Sequence, residues 1–155
     1  MRNNIKLFVM DVDGTLTDGK IYISEVGELF KAFDVKDGYA IKNIMPQHGI
    51  IPVIITGRIS RIVETRAKEL NITEIYQGIC DKVATFEAIR SKFGITYDEI
   101  ASIGDDLNDL EIMKLSGISA CPSDSCEEVK KHANIVLSKK GGAGAVREFV
   151  ERLTE

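Results

Sequence analysis

Short, mostly apolar runs, each broken off by a carboxylate, a hydroxyl or a glycine, set the limits on how this chain of 155 residues folds. Residues 5–10 stop at Asp11-Val12-Asp13-Gly14-Thr15, residues 50–55 at Thr56-Gly57, and residues 100–103 at Gly104-Asp105-Asp106. Runs this short, bounded by turn formers, have the pattern of buried strands. Between them the period changes. Residues 60–70 place Ile62, Val63, Ala67 and Leu70 on one helical face, and 82–93, 107–115, 127–132 and 146–153 are further predicted helices. Residues 75–76, 118–120 and 135–137 are predicted short strands. Alternating strands and helices imply an α/β fold with a doubly wound, mostly parallel sheet covered by helices on both faces.

Two segments interrupt the alternation. Residues 20–24 and 29–33 are predicted to pair as a hairpin across a four-residue loop, Glu25-Val26-Gly27-Glu28. Asp37 and Gly38 open a predicted helix that runs to His48 and stops at Gly49. Pro52 sits inside the second strand, so it needs a position where no backbone N–H is required. The length fits a single domain, residues 1–155. Net charge is −4 without a basic block, which gives nucleic-acid binding no support. No apolar run approaches the ~18–20 residues of a membrane span. Met1-Arg2-Asn3-Asn4 leads directly into the first strand and leaves no room for a signal peptide. Cys80, Cys121 and Cys126 are odd in number and lack CxxC spacing, as expected for reduced thiols in a cytoplasmic protein.

The candidate chemistry lies where the strands end. In open α/β sheets, ligands bind outside the carboxyl ends of the strands. Asp11 and Asp13 alternate along an extended chain and so point the same way. They are either a solvated acidic turn or a site whose repulsion a cation or a shared proton relieves. Thr56, Gly57 and Arg58 are either a common strand-ending turn or an anion site made of a hydroxyl, free N–H groups and a guanidinium. Asp105, Asp106 and Asp109 with Asn108 bring three carboxylates and an amide into five residues. Such hard oxygen donors suit Mg²⁺, although Asp106 also fits a helix cap. Lys82 is a point charge at a helix start, either solvated or turned to phosphate and the carboxylates.

Taken in order, Asp-x-Asp-Gly-Thr, strand-Thr-Gly, Lys and Gly-Asp-Asp-x-Asn-Asp resemble the motifs of the haloacid dehalogenase superfamily of phosphotransferases. The resemblance covers essentially the whole chain. A bacterial receiver domain shares aspartates, Thr and Lys on a doubly wound sheet. It places its acidic residues before Thr and Lys, however, and has no Gly-Asp-Asp-x-Asn-Asp segment after the lysine. A non-catalytic regulator is a further alternative, but none of the catalytic side chains is missing. The resemblance implies that Asp11 is the nucleophile and Asp13 the general acid and base. Thr56, Gly57 and Lys82 bind phosphate. Mg²⁺ is held by Asp11, Asp105 and the backbone carbonyl of Asp13, with Asp106, Asn108 and Asp109 in support and Asp109 orienting Lys82.

Only 42 residues separate Asp13 from Thr56, and 25 separate Thr56 from Lys82, so neither interval holds a cap domain. The layout resembles the superfamily's capless group, in which hairpins assemble a homotetramer and neighbouring subunits share active sites. Residues 34–39 and the glycine-rich segment 141–148 fit that group, the latter as a tail that reaches a neighbour's site. The implied substrate is a sugar-acid phosphate, 3-deoxy-D-manno-octulosonate 8-phosphate, used in lipopolysaccharide synthesis. A sialic-acid-type nonulosonate 9-phosphate is the alternative. Arg58, where the nonulosonate group often has glutamate, favours the octulosonate. Asp37, Arg58, Arg66 and Arg147 are the candidate substrate-binding residues. Thr15 departs from the valine frequent at this position.

Overall fold

The computed structural model describes residues 4–155; the stretch Met1-Arg2-Asn3, on which the reading of the N-terminus rests, lies outside the described residues. Six parallel strands form the main sheet in the order β5-β4-β1-β6-β7-β8. They are β1 (Leu7–Met10), β4 (Ile51–Ile55), β5 (Glu74–Tyr76), β6 (Ile100–Ile103), β7 (Ile118–Cys121) and β8 (Ile135–Val136). β1 lies centrally, with Leu7 beside both Ile51 and Ile100.

Side chains of β1 alternate between two cores, as a strand buried on both faces requires. Phe8 and Met10 join Ile54 and Ile103 on one face. There they meet α3 (Arg61–Glu69) through Val63 and Ala67, and α7 (Ala145–Thr154) through Val146, Phe149 and Val150. Leu7 and Val9 join Val53, Ile55 and Ile100 on the other face. They are covered by Phe86 and Ile89 of α4 (Lys82–Phe93) and Ile112 of α5 (Leu110–Leu115). The sheet is therefore doubly wound, as the alternation in the sequence implies. Among the described residues, no helix is long and apolar enough to cross a membrane.

Pro52 is accommodated by register. Ile51 donates its N–H to Lys6 on the β1 side, so the N–H that Pro52 lacks would face β5, whose pairing begins only at Val53. The remaining differences are local. The hairpin is β2 (Tyr22–Ser24) against β3 (Gly27–Phe30), with Ser24 opposite Gly27. Its turn is Glu25-Val26, two residues instead of the expected four. The following helix begins earlier than expected. Asp34 accepts hydrogen bonds from Lys36 and Asp37 N–H at 2.7 and 3.2 Å and so caps α1 (Val35–Tyr39). The chain then widens through a π-type segment, Ala40–Ile44, into α2 (Met45–Gln47). Pro46 cannot donate the next helical bond, and Met45 N–H reaches back to Ala40. The expected helix 107–115 starts as a 3₁₀ turn, Leu107–Asp109, before α5.

Between β1 and β4 lie only the hairpin and the α1–α2 segment. Helix α6 (Glu127–His132) leads to the edge strand β8. From there the chain crosses back to α7 by way of Gly141 and Gly142. These two do not extend away as a tail, as the resemblance implied. Gly142 donates to Thr15 carbonyl at 3.0 Å and Gly141 to Asp124 Oδ1 at 3.0 Å. A Cβ on Gly141 would lie 1.9 Å from the Gly14 carbonyl oxygen, so two backbones meet here in contact that only glycine permits. The segment therefore packs on the Gly14–Thr17 turn of its own chain.

Phe149 is fully buried, with its ring 5.3 Å from that of Phe8. Phe149→Ala should destabilise the protein by about 3–5 kcal/mol, measured by urea unfolding. A loss below about 1 kcal/mol would mean that α7 contributes little to the core.

Candidate active site

Three neighbouring strands, β4, β1 and β6, release their chains at the same edge of the sheet, and each hands over one candidate group. β1 continues one residue further, where Asp11 N–H donates to Ile103 carbonyl at 3.3 Å. The chain then turns, with Thr15, Leu16 and Thr17 N–H all directed at Val12 carbonyl. β4 ends in Thr56, which is buried and whose N–H donates to Tyr76 carbonyl at 2.9 Å. Gly57 follows at the start of the connecting loop, close to Ile79 carbonyl. β6 ends in Gly104 and Asp105.

Lys82 enters from the first turn of α4, a helix capped by Asp81, whose side chain accepts from Ala84 N–H at 3.0 Å. The Lys82 ammonium is buried and lies 2.9 Å from Asp11 Oδ1 and 2.7 Å from Asp109 Oδ1. Burial acts against its charge, but Asp11 and Asp109 outweigh burial and hold its pKa above the ordinary value. The other oxygen of Asp109 accepts from the N–H groups of Asp105 and Asp106, at 3.0 and 3.4 Å. Asp109 is therefore fully engaged in orienting its neighbours. Asp106 accepts from Leu107 N–H at 2.8 Å as a helix cap, and Asn108 is exposed on the same turn.

One oxygen from each of Asp11, Asp105 and Asp109 lies within 4.8 Å of the others. Burial and the Asp109 charge, opposed by Lys82, raise the Asp11 carboxyl to about 6. Burial, then the Asp11 and Asp109 charges, push Asp105 up to about 8. One ammonium is too little positive charge for this group. A divalent cation would supply the rest, and oxygen-only donors suit Mg²⁺. Because both oxygens of Asp109 are taken, Asp11 and Asp105 are the carboxylates free to ligate. Gly14 has φ +94°, and a Cβ there would fall 1.9 Å from the Asp105 carboxylate, so glycine is needed to bring Asp105 against the first turn. Thr15, the departure from valine, donates its hydroxyl to Asp105 Oδ1 at 3.2 Å.

Asp13 lies at the mouth and is partly exposed. Its carboxylate accepts a 2.6 Å bond from Lys31, a residue that no sequence pattern singled out. Lys31 also pairs with Glu28 at 2.9 Å, and Glu28 accepts from the Ser60 hydroxyl at 2.6 Å. Burial acts against the Lys31 charge, but Asp13 and Glu28 hold it in place. A lysine just after a short strand resembles any surface lysine in sequence. Only the fold of the hairpin reveals its partners.

The four candidate substrate-binding residues scatter. Arg58 is exposed on the loop after Thr56, where its charge reaches Glu28. The structure does not present Asp37 to a substrate. It is buried, with Oδ1 accepting from Arg147 N–H at 2.8 Å and Oδ2 from Gly144 N–H at 3.4 Å. Its carboxylate sits at the start of α7, where the helix dipole favours it. Arg66 pairs with Glu69 at 3.1 Å, and its guanidinium lies 5.8 Å from the Phe33 ring. Arg147 pairs with Glu151 and lies over Tyr39 at 5.3 Å. Neither arginine is directed at the carboxylate cluster of its own chain.

The chain as a whole is similar to known proteins. Residues 55–149 fit the model for haloacid dehalogenase-like hydrolases, and the chain belongs to that family. The Escherichia coli K12 enzyme 3-deoxy-D-manno-octulosonate 8-phosphate phosphatase is 41% identical over 150 residues, 97% of this chain and 79% of that one. The crystal structure of the same phosphatase from Yersinia pestis is 39% identical, with a TM-score of 0.94 over 98% of this chain and 82% of that one. The Moraxella catarrhalis phosphatase, solved with magnesium, phosphate and KDO, is 43% identical, with a TM-score of 0.93 over 98% and 87% of the two chains.

Asp11 and Asp105 hold their protons more tightly folded than unfolded, so the stability these two groups contribute is full at low pH and is lost as pH rises to about 6 for Asp11 and about 8 for Asp105. In EDTA, Tm at pH 8 should lie at least about 3 °C below Tm at pH 6, the scale of about 1 kcal/mol in a chain of this size. Mg²⁺ should narrow the gap by stabilising the ionised cluster. A gap that Mg²⁺ leaves unchanged would show that these carboxylates do not hold the ion.

Proposed function

We propose that the protein hydrolyses a sugar-acid phosphate, 3-deoxy-D-manno-octulosonate 8-phosphate, through an aspartyl-phosphate on Asp11. The observation that carries this reading is the Asp11 carboxylate at the end of the central strand, buried, paired with Lys82 and flanked by Asp105. The names of the similar phosphatases support the substrate, and such a role belongs to lipopolysaccharide synthesis in the cytoplasm. Three cysteines without a disulfide are consistent with that compartment.

In the first step an oxygen of Asp11 attacks phosphorus. The bond from phosphorus to the sugar oxygen breaks, and Asp13 delivers a proton to that departing oxygen. In the second step Asp13 takes a proton from water as the water oxygen attacks phosphorus. The bond to Asp11 then breaks and releases inorganic phosphate. Lys82 and the Thr56 hydroxyl, with the Gly57 N–H, stabilise charge on the transferring group. Lys82 also holds the attacking carboxylate in position, and Asp109 holds Lys82. Asp11, Asp105 and the main-chain oxygen of Asp13 would hold Mg²⁺, which supplies charge neutralisation between an anionic nucleophile and an anionic substrate.

With no cap to exclude water, closure of the site falls to neighbouring subunits, and we propose a homotetramer built on the hairpin. Ile23, Val26, Leu29 and Phe30 are all exposed there, Val26 at 91%. A two-stranded ribbon with an apolar surface is marginal by itself and gains from a partner. The substrate carboxylate would meet arginines, with Arg58 on the same chain and Arg66 or Arg147 supplied across an interface.

Asp11→Asn should leave the fold intact and lower phosphate release by on the order of 10⁴-fold. A tenth of wild-type turnover would exclude Asp11 as the attacking group. Comparing octulosonate 8-phosphate with nonulosonate 9-phosphate and simple hexose phosphates tests the substrate, and equal rates on all would overturn it. The double change Ile23→Asp, Val26→Asp should convert the tetramer to smaller species by sedimentation. A tetramer that persists would place the interface elsewhere.

A further inference from the structure

We infer that Lys31 is a positioning residue for Asp13, and that the Lys31–Glu28–Ser60 chain ties the proton-transferring carboxylate and the phosphate-binding loop into one frame. This rests on the acid–base role proposed for Asp13. The Lys31 side chain is 3% exposed, with Nζ 2.6 Å from Asp13 Oδ1 and 2.9 Å from Glu28 Oε1. Burying an ammonium this completely is unfavourable unless charged partners meet it, and both of its charged partners are carboxylates.

The geometry past Glu28 gives the pair its purpose. Glu28 Oε2 accepts from Ser60 Oγ at 2.6 Å, and Ser60 closes the loop that begins at Thr56. Ser60 is itself fixed from two sides. Its N–H donates to Gln77 Oε1 at 2.8 Å, and its hydroxyl accepts from Val63 N–H at 3.3 Å as the cap of α3. Asp13 has none of these constraints of its own. It stands on a turn, next to Gly14, and its side chain is 19% exposed. A charge-assisted bond from a buried lysine selects one orientation of that side chain.

Asp13 acts in both steps, but a phosphate ester with a good leaving group needs no proton from it in the first and depends on Asp13 only as the base of the second. Disordering Asp13 should therefore spare formation of the aspartyl-phosphate from 4-nitrophenyl phosphate and slow its hydrolysis. In full-length protein with Mg²⁺, Lys31→Met should retain the rapid first turnover, seen as a burst of about one 4-nitrophenol per subunit. Its steady-state rate should drop by about 10- to 100-fold, with KM changed by less than about threefold. Glu28→Gln leaves Lys31 in place but loosens it, and should show the same split at about three- to tenfold. This second variant keeps the test decisive where Lys31→Met does not fold. Equal loss of burst rate and steady-state rate in the folded variants would show a general structural defect and overturn the inference, as would steady-state rates within twofold of wild type. Asp13→Asn separates the two levels of argument. Full turnover in that variant would remove the acid–base reading, whereas its loss alongside wild-type behaviour of Lys31→Met would remove only the role of Lys31.

Discussion

The buried ammonium of Lys82 is the contact on which the site depends. It lies between Asp11 at the end of the first strand and Asp109 in the turn before α5, within 3 Å of both. Without it, the sheet edge would carry a cluster of carboxylates in a poorly solvated place with nothing to balance them. Removing one partner from a buried ion pair typically costs about 3–5 kcal/mol, because the remaining charge is left uncompensated. Asp109 extends the arrangement by accepting two backbone N–H groups from the segment that holds Asp105. One lysine thus links the ends of two strands and the start of a helix.

A second level of organisation comes from backbone contact. Gly14 lets Asp105 approach the first turn, and Gly141 lets the segment before α7 lie on that same turn. Asp37 then holds the start of α7 through backbone N–H groups at Gly144 and Arg147. The last helix, the turn after β1 and the β6 carboxylate are therefore parts of one packed unit. A side chain added at either glycine would separate them, which is why residues so distant in the chain share the constraint.

The hairpin differs in kind. Its inner end delivers Lys31 and Glu28 into a buried network, while its outer surface presents Ile23, Val26, Leu29 and Phe30 to solvent. An element with one end bound to the site and an apolar surface exposed would couple the proposed assembly to the arrangement of the site. That property arises from packing and not from any chemistry of the hairpin itself.

Much of this was legible in the residues. The apolar runs predicted the strands of a parallel sheet, because a strand buried on both faces needs continuous apolar sequence. The polar residues that end those runs marked the candidate site, because strand ends are where side chains leave the core. Asp11, Asp13, Thr56, Lys82 and Asp105 each left two readings open by type, and stood out once their order was compared with the haloacid dehalogenase motifs. The hairpin turn, the widened helix at Ala40–Ile44 and the early start of α1 did not, since Pro46 and the Asp34 cap act through geometry that spacing expresses only weakly. Lys31, Asp37 and Arg66 were decided by tertiary structure alone. A lysine, an aspartate and an arginine carry the same chemistry wherever they stand, and only the folded chain determines which of them meets the Asp13 carboxylate, which caps a helix and which lies against a phenyl ring.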